Sequence, residues 1–292
     1  MHPDQLDIDV ALVRRLLSTQ FPHWAELPLE PFASDGTVNA IYRLGDALAV
    51  RLPLRPGGER SLRNERRCLE RLAPRLPLAV PVPVARGRPG EGYPCEWSVF
   101  RWLEGERWRS GCVADPCSAA RDLARFVVAL RRLDASDGPR NPRGDRGWPL
   151  ATRDAWVERS ITALGREIDA RAVRAEWETA LAAPVWAGPP VWFHGDLFDN
   201  NLLLANGRLA AVLDFGIAGV GDPACDQVPA WALFSGASRE AFRRELGGDD
   251  ASWARARGWA LSQALLAWPY YRDTNPNMVV RSQRTIAELL GD

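Results

Sequence analysis

The chain has 292 residues, 46% of them hydrophobic and 25% charged, enough material for two lobes with real cores. Its 37 basic and 37 acidic residues cancel, which removes the basic excess expected of a nucleic-acid-binding surface. No apolar run approaches the roughly 20 residues of a membrane span, and the opening residues, MHPDQLDIDV, are acidic rather than signal-like, so a soluble cytoplasmic protein with no nucleic-acid, membrane or evident protein partner is expected.

In chain order, Leu29–Phe32 and residues 40–44 form two predicted strands, joined by the small polar loop ASDGTVN over residues 33–39, whose backbone N–H groups could lie over phosphates. A third strand over 47–52, ALAVRL, carries Arg51. The helix Glu59–Leu72 follows, with Leu62, Leu69 and Leu72 on its apolar face. After a proline-rich connection over 74–94, the run WSVFRWL at 97–103 alternates like a strand. From Ser118 onward Leu123, Phe126, Val127, Leu130 and Leu133 keep the i, i+3, i+4 spacing of an amphipathic helix, and residues 134–149, rich in Gly, Pro, Asn and Asp, form a loop. Helical patterns resume over 153–182 and again over 223–290, with breaks near Gly247-Gly248 and Asn275-Pro276.

Between those helical stretches lies VWFHGDLFDNNLLLANGRLAAVLDFG, residues 191–216. Apolar runs at 191–193 and 202–204 bracket a polar loop, and Asn206-Gly207 marks a tight turn before a third run at 209–213. Phosphoryl transfer asks for a positioned hydroxyl acceptor and for divalent cations that neutralise the phosphate oxygens. In the pattern H-G-D-x-x-x-x-N, Asp196 can accept the hydroxyl proton. Asn201, five residues on, can supply a neutral oxygen to Mg²⁺, and Asp214 of Asp214-Phe215-Gly216 can reach the same metal. Either tripeptide alone would be an ordinary turn; their order and the strand context between them carry the catalytic reading.

These residues, with Gly221-Asp222-Pro223-Ala224-Cys225-Asp226, resemble the aminoglycoside phosphotransferase family, small-molecule kinases with a protein-kinase-like fold. The resemblance implies a two-lobed α+β fold, with an antiparallel-sheet N-lobe over 1–103 for the nucleotide and a mostly helical C-lobe over 104–292 for catalysis and acceptor binding. It implies that Asp196 is the base, that Asn201 and Asp214 bind Mg²⁺, and that His194 and Asp226 support the catalytic loop. On the nucleotide side it points to Ser34 and Gly36 in the polar loop, to Phe100 lining an adenine pocket, and to backbone groups near Arg101 and Leu103 reading the adenine edge of ATP or GTP.

One residue departs from the pattern. All 37 basic residues are Arg, and Arg51 stands where a nucleotide site of this kind usually has a strand Lys. Glu65 is its natural partner on the helix that follows. Arg keeps its charge at every working pH and forks onto phosphate, but its planar bulk differs from an ammonium.

The acceptor is less legible. Trp231, Trp253, Trp259, Trp268, Tyr270 and Tyr271 could stack on sugar rings, although large aromatics are more often core. From residue 186 onward 12 acids face 9 Arg, a slight excess for a polycationic substrate, with Asp273 and Glu288 as conceivable amine contacts. An aminoglycoside or another antibiotic is the leading acceptor. A metabolic hydroxyl compound such as choline, homoserine, methylthioribose or a sugar is the alternative, and Arg51 motivates a third reading, a nucleotide-binding module without catalysis. A protein kinase fits poorly because no A-P-E segment follows Asp214. The five cysteines are odd in number and scattered, and Cys112 and Cys117 lack a second ligand pair, so reduced thiols without metal are expected.

Overall fold

Alternating apolar residues build an antiparallel sheet from the first hundred positions of the chain, seen in a computed structural model that describes residues 5–33 and 38–291. Strands β1 (Leu29–Phe32), β2 (Asn39–Leu44), β3 (Leu48–Pro53), β4 (Pro83–Gly87) and β5 (Trp97–Arg101) are ordered β1-β2-β3-β5-β4. Tyr42 pairs with Val50 and Val50 with Val99, so one face of the central strands is continuous and apolar. Helix α1 (Val10–Gln20) covers it with Leu12, Val13, Leu16 and Leu17, at the spacing of one helix face, and Asp9 caps it by accepting from Leu12 N–H at 2.7 Å. This helix has no counterpart among the expected elements.

Two further differences have local causes. Residues 74–94, expected as a connection, contain strand β4: Pro83 is tolerated because β4 is an edge strand, and the register shifts between Pro83 and Ala85. The strand expected over 97–103 ends at Arg101.

Helix α2 (Glu59–Leu72) buries Leu62, Glu65, Cys68, Leu69 and Leu72. Glu65 lies three residues after Leu62 and four before Leu69, which places a carboxylate on the apolar face, where it must find a partner.

The later half of the chain is mostly helical. Helix α3 (Pro116–Arg131) is capped by Asp115 and packs on α7 (Gly236–Leu246). The continuous pattern over 153–182 is divided at Gly165, φ +55°, into α4 (Asp154–Leu164) and α5 (Ala170–Ala182). Helix α6 (Pro229–Ala232) ends before Ser235, whose capping box starts α7, a break the apolar pattern hides. Helix α8 (Asp250–Tyr271) is buried on several faces and packs on α4, α5 and α9 (Pro276–Leu290).

Strands β6 (Glu106–Arg107), β8 (Leu202–Ala205) and β9 (Arg208–Val212) form a small sheet, and β7 (Val191–Phe193) pairs antiparallel with β10 (Gly219–Gly221). Asn206 and Gly207 join β8 to β9 with φ of +52° and +75°, as a type I′ turn requires. The chain divides into two compact units: one of residues 1–107, 200–205 and 210–217, the other of 108–199, 206–209 and 218–292. Among the described residues no helix is long and apolar enough to cross a membrane.

Candidate active site

The site residues expected from the sequence fall on both units, and each group has its own geometry. In the first unit, Arg51 projects from β3 and donates from Nη1 to Glu65 Oε1 at 2.8 Å, with side chains 12% and 1% exposed. The guanidinium lies 5.3 Å from the ring centroid of buried Phe100. Burial opposes its charge, but Glu65 and Asp214 outweigh burial and hold Arg51 above its ordinary value. Burial pushes the Glu65 carboxyl up, Asp214 adds to that, and Arg51 with the Phe215 N–H pulls the other way.

Helix α2 also grips the Asp214-Phe215-Gly216 segment. Phe215 N–H donates to Glu65 Oε1 at 3.3 Å and Asn64 Nδ2 donates to the Gly216 carbonyl at 3.1 Å. A Cβ on Gly216 would stand 2.1 Å from Ser61 Oγ, so any side chain there would force the Ser61 hydroxyl to move away. Asp214 sits at φ +62°, a left-handed conformation that Asp tolerates better than most residues, and accepts from Gly216 N–H at 3.1 Å. Leu213 N–H donates to the Asn201 carbonyl at 2.8 Å, tying the two segments that carry Asp214 and Asn201. Asn201 is buried whereas Asn200 is exposed and donates to Asn201 Oδ1 at 2.9 Å.

Two features of this unit fit the groups such a site would hold. Arg51 Nε is buried and finds no hydrogen-bond partner among the described residues, a donor suited to a phosphate oxygen. The Asp214 carboxylate and the Asn201 amide are hard oxygen donors of the kind Mg²⁺ takes from protein while phosphates and water complete its shell. Arg101 N–H is committed to the Val82 carbonyl at 2.9 Å, and Leu103 lies past the end of β5. Ser34 and Gly36 lie outside the described residues.

In the second unit the His194-Gly195-Asp196 turn hangs from buried Asp226, whose two oxygens accept from His194 N–H and Gly195 N–H, each at 2.7 Å. Burial nevertheless raises the Asp226 pKa; the His194 ring, the two N–H groups and Arg131 counter it only in part. Asp196 N–H donates to His194 Nδ1 at 3.2 Å, and the Asp196 side chain is 28% exposed.

The remaining partners of this loop were not legible in the sequence. Arg146, from the loop before α4, donates from Nε to the Gly195 carbonyl at 3.1 Å and places Nη2 3.8 Å from Asp196 Oδ1. Arg281 of α9 donates to Asp199 at 2.7 Å with its guanidinium 4.1 Å from the Phe198 ring centroid. One Arg among 37 carries no local mark of such a role.

Of the aromatics considered for the acceptor, Trp231, Trp259 and Trp268 are core, whereas Tyr270 is 61% exposed. Glu288 pairs with Arg239, and Asp273 is exposed just after α8. Cys68, Cys95 and Cys225 are buried thiols, and among the described residues no group of three or more His, Cys, Asp or Glu could hold a metal.

The model of the phosphotransferase enzyme family matches residues 29–259. Among solved structures, the GDP complex of wild-type aminoglycoside 2'-phosphotransferase-IIIa superposes with a TM-score of 0.75 at 16% identity, covering 97% of this chain and 99% of that one. The streptomycin-ATP ternary complex of APH(2")-IIa gives 0.61 at 18% identity over 98% and 97%. Macrolide 2'-phosphotransferase MphH from Brachybacterium faecium, as apoenzyme, gives 0.62 at 22% identity over 95% and 97%. At these identities the likeness is one of fold: an antiparallel-sheet unit and a helical unit of the kinase-like α+β class. No curated protein matches the chain.

Proposed function

The chain belongs to the phosphotransferase enzyme family of small-molecule kinases, and from that premise we propose that it moves the γ-phosphoryl group of ATP or GTP onto a hydroxyl of a small molecule, with Asp196 as base. The observation that carries this reading is the convergence in one unit of Arg51, Glu65 and the Asp214-Phe215-Gly216 segment, joined through a single carboxylate oxygen at 2.8 and 3.3 Å. In the proposed site Arg51 turns its unpartnered Nε to phosphate, Phe100 lines the adenine pocket, and Leu103 reads the adenine edge, since the Arg101 N–H is engaged within the sheet. Asn201 and Asp214 would hold Mg²⁺, which neutralises phosphate charge when bound. Asp196 takes the acceptor's hydroxyl proton, His194 and Asp226 keep its turn in place, and Ser34 and Gly36 are proposed nucleotide contacts.

For the acceptor we propose a hydroxylated antibiotic with few ammonium groups, ahead of a polycationic aminoglycoside. Two carboxylates that a ligand could reach are already engaged by arginine, Asp199 with Arg281 and Glu288 with Arg239, which leaves exposed Asp273 as the conceivable amine contact. An ammonium-rich ligand would have to displace these cations. A role in resistance follows from such an acceptor, and a metabolic hydroxyl compound remains the alternative outcome.

The test is a phosphate-transfer screen of macrolides, aminoglycosides, other hydroxylated antibiotics and common metabolites, with ATP and GTP compared. Asp196→Ala should lower the rate by about 10² to 10⁴ while nucleotide binding survives. Undiminished transfer by that variant sinks the mechanism. Nucleotide binding with no transfer to any acceptor in the wild type would mark the chain as a binding module.

A further inference from the structure

The loop between α3 and α4 brings a permanent cation to the turn that carries Asp196. We infer that Arg146 is a positioning residue for phosphoryl transfer, clamping the peptide from which Asp196 hangs; this rests on the proposed role of Asp196 as base. The peptide joining Gly195 to Asp196 is pinned at both of its polar groups. Its carbonyl accepts from Arg146 Nε at 3.1 Å, and its N–H donates to His194 Nδ1 at 3.2 Å.

The guanidinium is itself held on every nitrogen. Nη1 donates to Asp145 Oδ1 at 3.0 Å and Nη2 to Gln263 Oε1 of α8 at 3.3 Å. Nη2 also lies 3.8 Å from Asp196 Oδ1, close enough to attract the carboxylate and too far to consume it as a hydrogen-bond acceptor. Gly195 makes the approach possible: at φ +84° a side chain would be strained, and its Cβ would stand 3.1 Å from Arg146 Cγ. A planar fork spreads its donors over three nitrogens and so reaches a backbone carbonyl, a carboxylate and an amide that lie apart, whereas the three donors of a lysine ammonium share one atom.

The experiment compares wild type, Arg146→Met, Arg146→Lys and Asp196→Ala, using the acceptor that the wild type phosphorylates fastest. Arg146→Met should lower kcat about 10- to 100-fold, the scale of a misplaced reacting group, with nucleotide KM within about twofold and melting temperature within a few degrees of wild type. Arg146→Lys should not restore kcat, because charge without the fork leaves the peptide unclamped. Wild-type kcat in either folded variant overturns the inference, and so does a fall in kcat of Arg146→Lys that tracks a lost melting transition. If Arg146→Met does not fold, Arg146→Lys decides alone: a fall of about tenfold at unchanged nucleotide KM supports the clamp. Undiminished transfer by Asp196→Ala would overturn the underlying reading, whereas loss there beside wild-type kcat in Arg146→Met overturns the clamp alone.

Discussion

In the proposed site Arg51 takes a position usually held by lysine. A lysine ammonium presents three donors on one atom, so pairing with a carboxylate leaves it free to turn others toward phosphate. A guanidinium divides its donors among three nitrogens: Nη1 holds Glu65 while Nε is left buried without a partner among the described residues. Removing the cation strands a carboxylate that is 1% exposed. Arg51→Met should therefore cost about 3–5 kcal/mol in urea unfolding, the usual penalty for breaking a buried pair, and should raise nucleotide KM in whatever enzyme still folds. An unchanged KM and kcat would make Arg51 a structural cation with no part in nucleotide use.

Helix α2 is the element that links this pair to the Asp214-Phe215-Gly216 segment, since Glu65, Asn64 and Ser61 all meet Phe215 or Gly216. Cys68, one turn further along the helix, donates to Asn64 Oδ1 at 3.8 Å. Burial pushes its thiol from an ordinary value of 9.0 to about 12, with Arg67 opposing and Glu65 adding to the shift. The unfolded chain thus releases this proton from about pH 9 upward while the folded chain keeps it to about 12. The native state binds the extra proton in that window, so stability falls there by about 1.4 kcal/mol per pH unit. Cys68→Ser does not ionise, and its unfolding free energy should fall less steeply than that of the wild type between pH 9 and 11. Parallel slopes would show that the thiol is not held protonated. That α2 is a helix, and which of its faces is apolar, is plain from Leu62, Leu69 and Leu72; that Glu65 also occupies that face follows from its spacing. What Glu65 meets does not, because Phe215 lies 150 residues away in sequence.

At the scale of the molecule, a ligand that binds only the folded enzyme adds about 2.7 kcal/mol of stability at one hundred times its Kd. Magnesium with ATP or GTP at that excess should raise the melting temperature of the wild type and of Asp196→Ala alike, and should raise that of Arg51→Met less. No shift with either nucleotide would contradict the proposed site. Residues 200–205 and 210–217 belong to the same compact unit as the N-terminal sheet, so the expected metal ligands Asn201 and Asp214 share a unit with Arg51, while Asp196, only five residues before Asn201, belongs to the other. The sequence by itself determined what depends on near neighbours: the periods of strands β1 to β3 and helix α2, the Asn206-Gly207 turn, and the order of the His194-Gly195-Asp196, Asn201 and Asp214-Phe215-Gly216 segments. The edge strand β4 and the breaks at Gly165 and Ser235 escaped because packing and capping, not periodicity, mark them, whereas helix α1 was legible in principle, with Leu12, Val13, Leu16 and Leu17 on one face behind the Asp9 cap. Only the tertiary structure decided that Arg146, 49 residues before Gly195, holds its carbonyl, and that Arg281, 82 residues after Asp199, neutralises it. Such pairings depend on how distant helices pack, and an arginine carries the same charge wherever it falls in the chain.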